Sequence, residues 1–528
     1  MRRYESSAGP RGVTEGRRPL RGRKPGDRRV RVERPHSAFF RYAPDGLLVA
    51  KEAASAPRTP VGRALARARG ILFGRPLSIH EEIAERLSKK KALAIFSSDA
   101  ISSSAYATEE ILRVLVLAGA GALMAGLPIA IAIALLLAVV STSYRQEVYA
   151  YPSGGGDYAV ARANLPGLFS LVVAGALLVD YVMTVAVSTS SAVEQVISAF
   201  PAIHDLRVEV GVAAIILIML GNLRGLRESG NIFAIPTYLF AGSALLMIGI
   251  GLFRIIVLGE HHLPPEPLPG APDPVQALGW LLIIRAFASG SVALTGTEAI
   301  ANGVPAFKPP EPRNAATTLT VMAILLGVLF IGITFVADSF GIVPRDFPTV
   351  RTVISQVAAT IYGDNTILFY LYQTFTALIL FLAANTSFNA FPRLAALLAI
   401  DGYMPRQFAF RGDRLAFSYG IVLLAGVAAF LVWRFEGDTH GLIPLYSVGV
   451  FVCFTLSQIG MVRHWHRHRE PGWWYRAAIN GIGAVLTALV LVIVTSVKFV
   501  DGAYLVVILI PLLVGMMLFI HRQYTTSR

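Results

Sequence analysis

Twelve runs of mostly apolar residues recur along the chain, near 91–117, 122–143, 166–198, 208–224, 230–258, 279–304, 317–342, 366–392, 418–435, 441–463, 478–497 and 502–521. A helix of about 20 apolar residues crosses the hydrocarbon core of a bilayer. Inside that core every backbone polar group must be satisfied internally, which leaves helices and closed barrels. The apolar residues stand in continuous runs, not in the period-two alternation of a barrel strand. The pattern predicts an all-α polytopic membrane protein with 12 transmembrane helices. Composition agrees, because only 15% of the 528 residues are charged, against about 25% in an ordinary soluble chain.

The charge is unevenly placed. Residues 1–75 carry 19 Lys and Arg against 6 Asp and Glu, so 13 of the net +14 charges sit there. A tail so rich in Arg, Pro and Gly cannot bury a core and is expected to be disordered, cytoplasmic and attracted to anionic lipid head groups. No recognised nucleic-acid motif accompanies the charge, so no nucleic-acid partner is expected. The tail lacks a signal-peptide apolar region and is expected to stay attached. Residues 76–90 (PLSIHEEIAERLSKK) read as an amphipathic segment at the interface. A transporter domain of twelve helices then fills 91–521, and 522–528 form a short cytoplasmic tail. Cys453 is the single cysteine, so no intrachain disulfide is available.

Basic residues recur after every second run: Arg145 and Arg162, Arg224 and Arg227, Lys308 and Arg313, then the arginines at 393–414 and 463–476. The opposite loops, such as EHHLPPEP (260–267) and RFEGDTHG (434–441), are acidic or balanced. The positive-inside rule places both termini in the cytoplasm of a multi-pass plasma-membrane protein.

Spans 1 and 6 differ from the rest. SSDAISSSAYATEE (97–110) and RAFASGSVALTGTEAIANGVP (285–305) both interrupt an apolar helix with small and polar residues, and each carries an acid, Asp99 or Glu298. Two interrupted segments five spans apart point to a transporter with five-plus-five inverted repeats, the LeuT-like arrangement, whose broken helices line a midplane site. Ordinary packed helices would account for Gly290 and Gly296 but not for acids at that depth, each costing about 2.5–3.5 kcal/mol to insert. Span 3 adds Asp180, Thr184 and Ser188 at i, i+4 and i+8, one polar stripe. Tyr106 stands two turns from Asp99, Thr295 three residues before Glu298, and Tyr446 within LIPLYSVGVF of span 10. Carboxylates, hydroxyls and carbonyls without a facing Lys or Arg suit a metal cation or a proton. An acid in apolar surroundings near another acid can hold a proton near neutral pH, which makes Glu298 the candidate for coupling.

Other motifs weigh less. YPSGGGDY (151–158) lacks the Lys-Ser/Thr of a phosphate-binding loop and reads as a cytoplasmic hairpin near an inner gate. HWHRHRE (464–470) reads as a positive-inside cap rather than a metal site. Glu109, Glu110 and Glu194 are assigned either to a vestibule or to the outer interface, outside the site.

AFKPPEPRNAATTL (306–319) and PRLAALLAIDGYMPRQF (392–408) resemble loops of the amino acid–polyamine–organocation superfamily. FSSDAISSSAYATEE, YPSGGGDY, LTGTEAIANGVPAFK and LIPLYSVGVF, in that order, are similar to KimA-type potassium importers, relatives of the KUP potassium uptake proteins. The resemblance runs from about Leu87 to span 12. It implies a LeuT-like fold and proton-driven potassium uptake. It also implies potassium contacts at Asp99, Tyr106, Asp180, Thr184, Ser188, Thr295 and Tyr446, a proton-linked acid at Glu298, and no cofactor beyond the transported ions. Members of that group carry a soluble domain after span 12 that serves dimerisation and inhibition by cyclic di-AMP. About seven residues follow span 12 here, which leaves oligomeric state and nucleotide control open. An amino-acid or polyamine permease of the same fold is the alternative, since a cationic amine would also seek Asp99 and Asp180. A sensor or scaffold would gain stability by losing the buried acids, and an enzyme is not indicated by any nucleophile–base pair.

Overall fold

The computed structural model describes residues 86–224, 230–262, 278–344, 351–410 and 417–526, together with four short strands nearer the N-terminus. The chain divides into two units, Met1–Gly74 and Arg75–Arg528. In the first, Pro19–Leu20 (β1) pairs antiparallel with Val30–Arg31 (β2), and Phe40–Tyr42 (β3) with Leu48–Ala50 (β4). These strands fall within the tail expected to be disordered. The rest of that tail, and residues 76–85 of the expected interfacial segment, lie outside the described residues.

The second unit is helical, and its first apolar run is broken into Lys89–Phe96 (α1), Ser98–Ser102 (α2) and Ser104–Leu115 (α3). The serines explain the breaks. Ser98, Ser102, Ser103 and Ser104 each turn a hydroxyl onto the carbonyl three residues back, at 2.6–3.0 Å. Such side-chain bonds compete with the helical ladder and bend it. The chain continues through Gly126–Ala150 (α4), the short Gly156–Asn164 (α5), Gly167–Ala199 (α6), Arg207–Leu223 (α7) and Gly230–Ile256 (α8). Trp280–Gly290 (α9) runs into a 3₁₀ turn at Ser291–Leu294, then a non-helical stretch, and resumes as Ala299–Asn302 (α10). Glu311–Ser339 (α11), Val353–Tyr362 (α12), Ile367–Ile400 (α13), Ser418–Arg434 (α14), Thr439–His468 (α15), Trp473–Val497 (α16) and Tyr504–Thr526 (α17) complete the unit.

Among the described residues, ten helical stretches of 23–34 residues are long and apolar enough to cross a membrane. Twelve were expected from the sequence. The two runs outside the ten are the serine-broken segment 89–115 and α14, which is 17 residues long.

Enclosure separates the helices. In α15, 83% of the most apolar window is buried, in α6 78% and in the α9–α10 stretch 67%, against 22% in α7 and in α17. Leu217 of α7, Val485 of α16 and Leu512 of α17 point outward and exposed, as lipid-facing residues do. The candidate site residues therefore ride on the enclosed elements, where a polar side chain meets protein instead of lipid. Pro444 in α15 removes one backbone donor two residues before Tyr446, so the helix ladder is interrupted next to a site residue.

Candidate functional site

The site begins at the two breaks. After the 3₁₀ turn, Thr295 is extended (φ −62°, ψ 148°) and Gly296 adopts φ +77°. Thr295 and Glu298 are therefore not one helical turn apart, as their spacing alone would suggest. A Cβ on Gly296 would lie 2.6 Å from Cγ of Asp99 and 2.8 Å from the Ala100 nitrogen. The missing side chain is what lets the Asp99 carboxyl rest against the open backbone of the sixth segment. Ser103 fastens the same pair of segments, its hydroxyl donating to the Ala293 carbonyl at 2.9 Å.

The other residues close in from α6 and α15. Thr184 and Tyr446 share a hydrogen bond of 2.9 Å between their hydroxyls, joining the two most enclosed helices. Their approach is permitted at Gly449, where an added Cβ would stand 3.2 Å from the Ala176 carbonyl oxygen. Asp180 and Glu298 are neighbours, close enough for a hydrogen bond when one of them carries a proton, and Asp99 acts on both. Tyr106 lies beside Thr295 and within the field of Asp99 and Asp180. Thr295 itself spends its proton on the Val292 carbonyl at 2.9 Å. Ser188 lies one turn beyond Thr184 on the same face of α6.

All eight predicted residues are buried, none more than 4% exposed. Five of their oxygens, Asp99 Oδ1, the Tyr106 hydroxyl, Asp180 Oδ1, Ser188 Oγ and Glu298 Oε2, have no hydrogen-bond partner in the protein. A buried polar atom left so costs about 1–3 kcal/mol, a cost that a proton, a cation or a water meeting these oxygens would offset. Three carboxyls cannot all be ionised side by side. The arrangement suits exchange of positive charge: a cation among hard oxygens, and a proton on one member of the Asp180–Glu298 pair.

Residues left out by sequence reasoning gather at a second place. His440, in the second position of α15, has Nδ1 2.5 Å from Glu110 Oε1 and Nε2 3.6 Å from Glu109 Oε1. The Glu109 carboxylate accepts from the Val353 backbone N–H at 3.0 Å, Glu194 from that of Thr439 at 3.2 Å. Glu109, Glu194 and His440 line a cavity of about 380 Å³ together with Arg113, Arg207 and Arg351. Glu109 and Glu194 thus line one charged cavity, and Glu110 joins it through His440. The histidine sits in RFEGDTHG, a stretch the pattern assigned to a loop.

The glycine motif also has a structural place. Gly154, at φ +73°, abuts Pro305 and the Asn302 carbonyl, and a Cβ on Gly156 would fall 2.0 Å from Asn302 Oδ1. The hairpin is thereby packed under the end of the sixth segment. In HWHRHRE, His464 meets the Tyr151 hydroxyl at 3.0 Å through Nδ1, and among the described residues no group of three or more His, Cys, Asp or Glu is placed to hold a metal.

Residues 87–518 match the amino acid permease family. Over 455 residues the chain is 46% identical to "Potassium transporter KimA" of Bacillus subtilis (strain 168), covering 86% of this chain and 74% of that protein.

Proposed function

The chain belongs to the amino acid permease family of membrane transporters, and from that premise we propose that it imports potassium together with protons across the plasma membrane. The observation that carries the reading is the contact of Asp99 with the opened backbone at Gly296. A carboxylate, backbone carbonyls and nearby hydroxyls can replace the water around a dehydrating monovalent cation. The name of the Bacillus relative supports potassium as that cation.

In this reading the transporter has twelve spans in a LeuT-like five-plus-five inverted repeat. The broken segment 89–115 is the first, α9–α10 the sixth and α14 the ninth. Both termini are cytoplasmic, the basic tail of residues 1–75 is held near anionic lipid, and no cofactor is needed. Asp99, Tyr106, Asp180, Thr184, Ser188, Thr295 and Tyr446 form the cation site, with Glu298 carrying the proton. Protonation of Glu298 relieves its repulsion with Asp180, leaving Asp180 and Asp99 to balance the cation. Loss of that proton on the inner side restores the repulsion once the cation has left. Rocking of one repeat against the other exposes the site alternately to each side.

Expression in a bacterium stripped of its own potassium uptake systems tests the proposal. Growth at micromolar potassium and uptake of rubidium are expected, and Asp99→Asn abolishes both while remaining in the membrane. Glu298→Gln is expected to keep rubidium exchange and to lose accumulation driven by a proton gradient. Absence of rescue by the wild-type protein, with the protein present in the membrane, overturns potassium as cargo. The same cells supplied with amines and amino acids then test the alternative that three carboxyls would also accommodate.

A further inference from the structure

A second pair of buried acids lies outside the cation site. Glu147 near the end of α4 is 2% exposed, and Asp157 in the first turn of α5 is fully buried. The hydroxyl of Ser457 on α15 donates to Glu147 Oε2 at 2.9 Å and also faces the Asp157 carboxyl. Tyr144 donates to Asp157 Oδ2 at 3.0 Å. Glu147 Oε1 and Asp157 Oδ1 are buried without a partner. The hydroxyl of Ser457 has one proton and can donate to only one of the two carboxylates at a time. The other acid must carry its own proton or stand against its neighbour as an uncompensated like charge. Burial pushes the Asp157 carboxyl above the usual carboxylate range.

The surroundings lead back to the cation site. Glu298 feels both Asp99 and Asp157, and Asp180 feels Asp157 as well. Tyr151 from the hairpin, Tyr181 from α6 and Cys453 from α15 are further titratable neighbours of the pair. Gly156, next to Asp157, rests on Asn302 at the end of the sixth segment, and the Asn302 amide donates to the Tyr181 hydroxyl at 3.0 Å. On the orientation proposed above, α4 ends at the cytoplasmic face.

We propose that Glu147 and Asp157 are the inner station of the proton path, taking the proton from Glu298 and passing it to the cytoplasm. The O–H bond of the Glu298 carboxyl breaks and one forms on the Asp157–Glu147 pair, which then releases the proton to water. The inference rests on the proton-coupled reading and adds the route by which the proton leaves.

Purified full-length protein in liposomes tests it with rubidium in two modes, exchange at equal pH and net uptake driven by a pH gradient. Exchange returns the loaded carrier without discharging its proton, so Glu147→Gln and Asp157→Asn are expected to keep exchange near the wild-type rate. Net uptake is expected to fall about tenfold or more, and Glu147→Asp to restore it. Net uptake unchanged in both neutral variants, or exchange lost in step with net uptake, overturns the inference. Ser457→Ala, which keeps both acids, gives a second reading. It removes a donor to the ionised form, so the dependence of net uptake on internal pH is expected to move to higher pH. An unmoved profile also counts against the pair. Absence of rubidium exchange in the wild-type protein would instead overturn the potassium reading itself, and this inference with it.

Discussion

At Gly296 a backbone turn and a side-chain contact depend on the same missing atom. Its φ of +77° would cost an L-residue about 1–2 kcal/mol. The larger consequence of a Cβ is displacement of the Asp99 carboxyl, which stands 2.6 Å from where that atom would be. Gly296→Ala is therefore expected to abolish rubidium uptake while the protein still reaches the membrane. Gly327→Ala in α11, with open space around its Cβ position, is expected to leave uptake unchanged. Equal uptake by the two variants would remove the Asp99–Gly296 contact from the site. The acids and hydroxyls themselves were legible in the sequence because an acid in an apolar run is costly and stands out. The Gly296 contact was not, since it joins residues 197 positions apart and leaves no periodicity. His440 was hidden for a related reason: its partners Glu109 and Glu110 lie on the first broken segment, far away in the chain.

Among the elements, the hairpin between α4 and α5 and the end of the sixth segment form a contact that can transmit movement. Gly156 takes φ +48° with the Asn302 side chain against its Cα. Gly156→Ala is expected to slow rubidium exchange while leaving equilibrium rubidium binding intact, because it obstructs the seat of the sixth segment and not the ion site. Asn302→Ala in the same chain removes the obstructing atom and is expected to restore part of the rate, as coupled neighbours do. Exchange at the wild-type rate in Gly156→Ala, measured in liposomes, would show that the seat does not limit movement. The existence of the breaks could be read from Ser and Gly inside apolar runs. Their geometry could not, because a serine hydroxyl bends a helix only when it turns onto the carbonyl three residues back, and that choice depends on packing.

For the whole molecule, the order of helices and loops can be tested with a single reporter, since Cys453 is the only thiol and is buried. Cysteines placed at the exposed positions His261 and Glu436 are expected to react with a membrane-impermeant thiol reagent from outside. One placed at Gln407 is expected to react only after the membrane is opened. Labelling of 407 and 436 from the same side would remove α14 as a span and break the twelve-span reading. The amino-acid sequence by itself determined the solvent in which this chain folds, the apolar segments, the charge alternation and the types of residue at the site. Those properties depend on transfer of side chains between water and lipid, which is additive along a chain. Tertiary structure alone decided which groups meet: Asp99 with Gly296, Thr184 with Tyr446, Asp180 with Glu298, Glu147 with Asp157 through Ser457. Contacts between segments far apart in the chain depend on how close the helices approach and where their backbones open, and no local pattern encodes either.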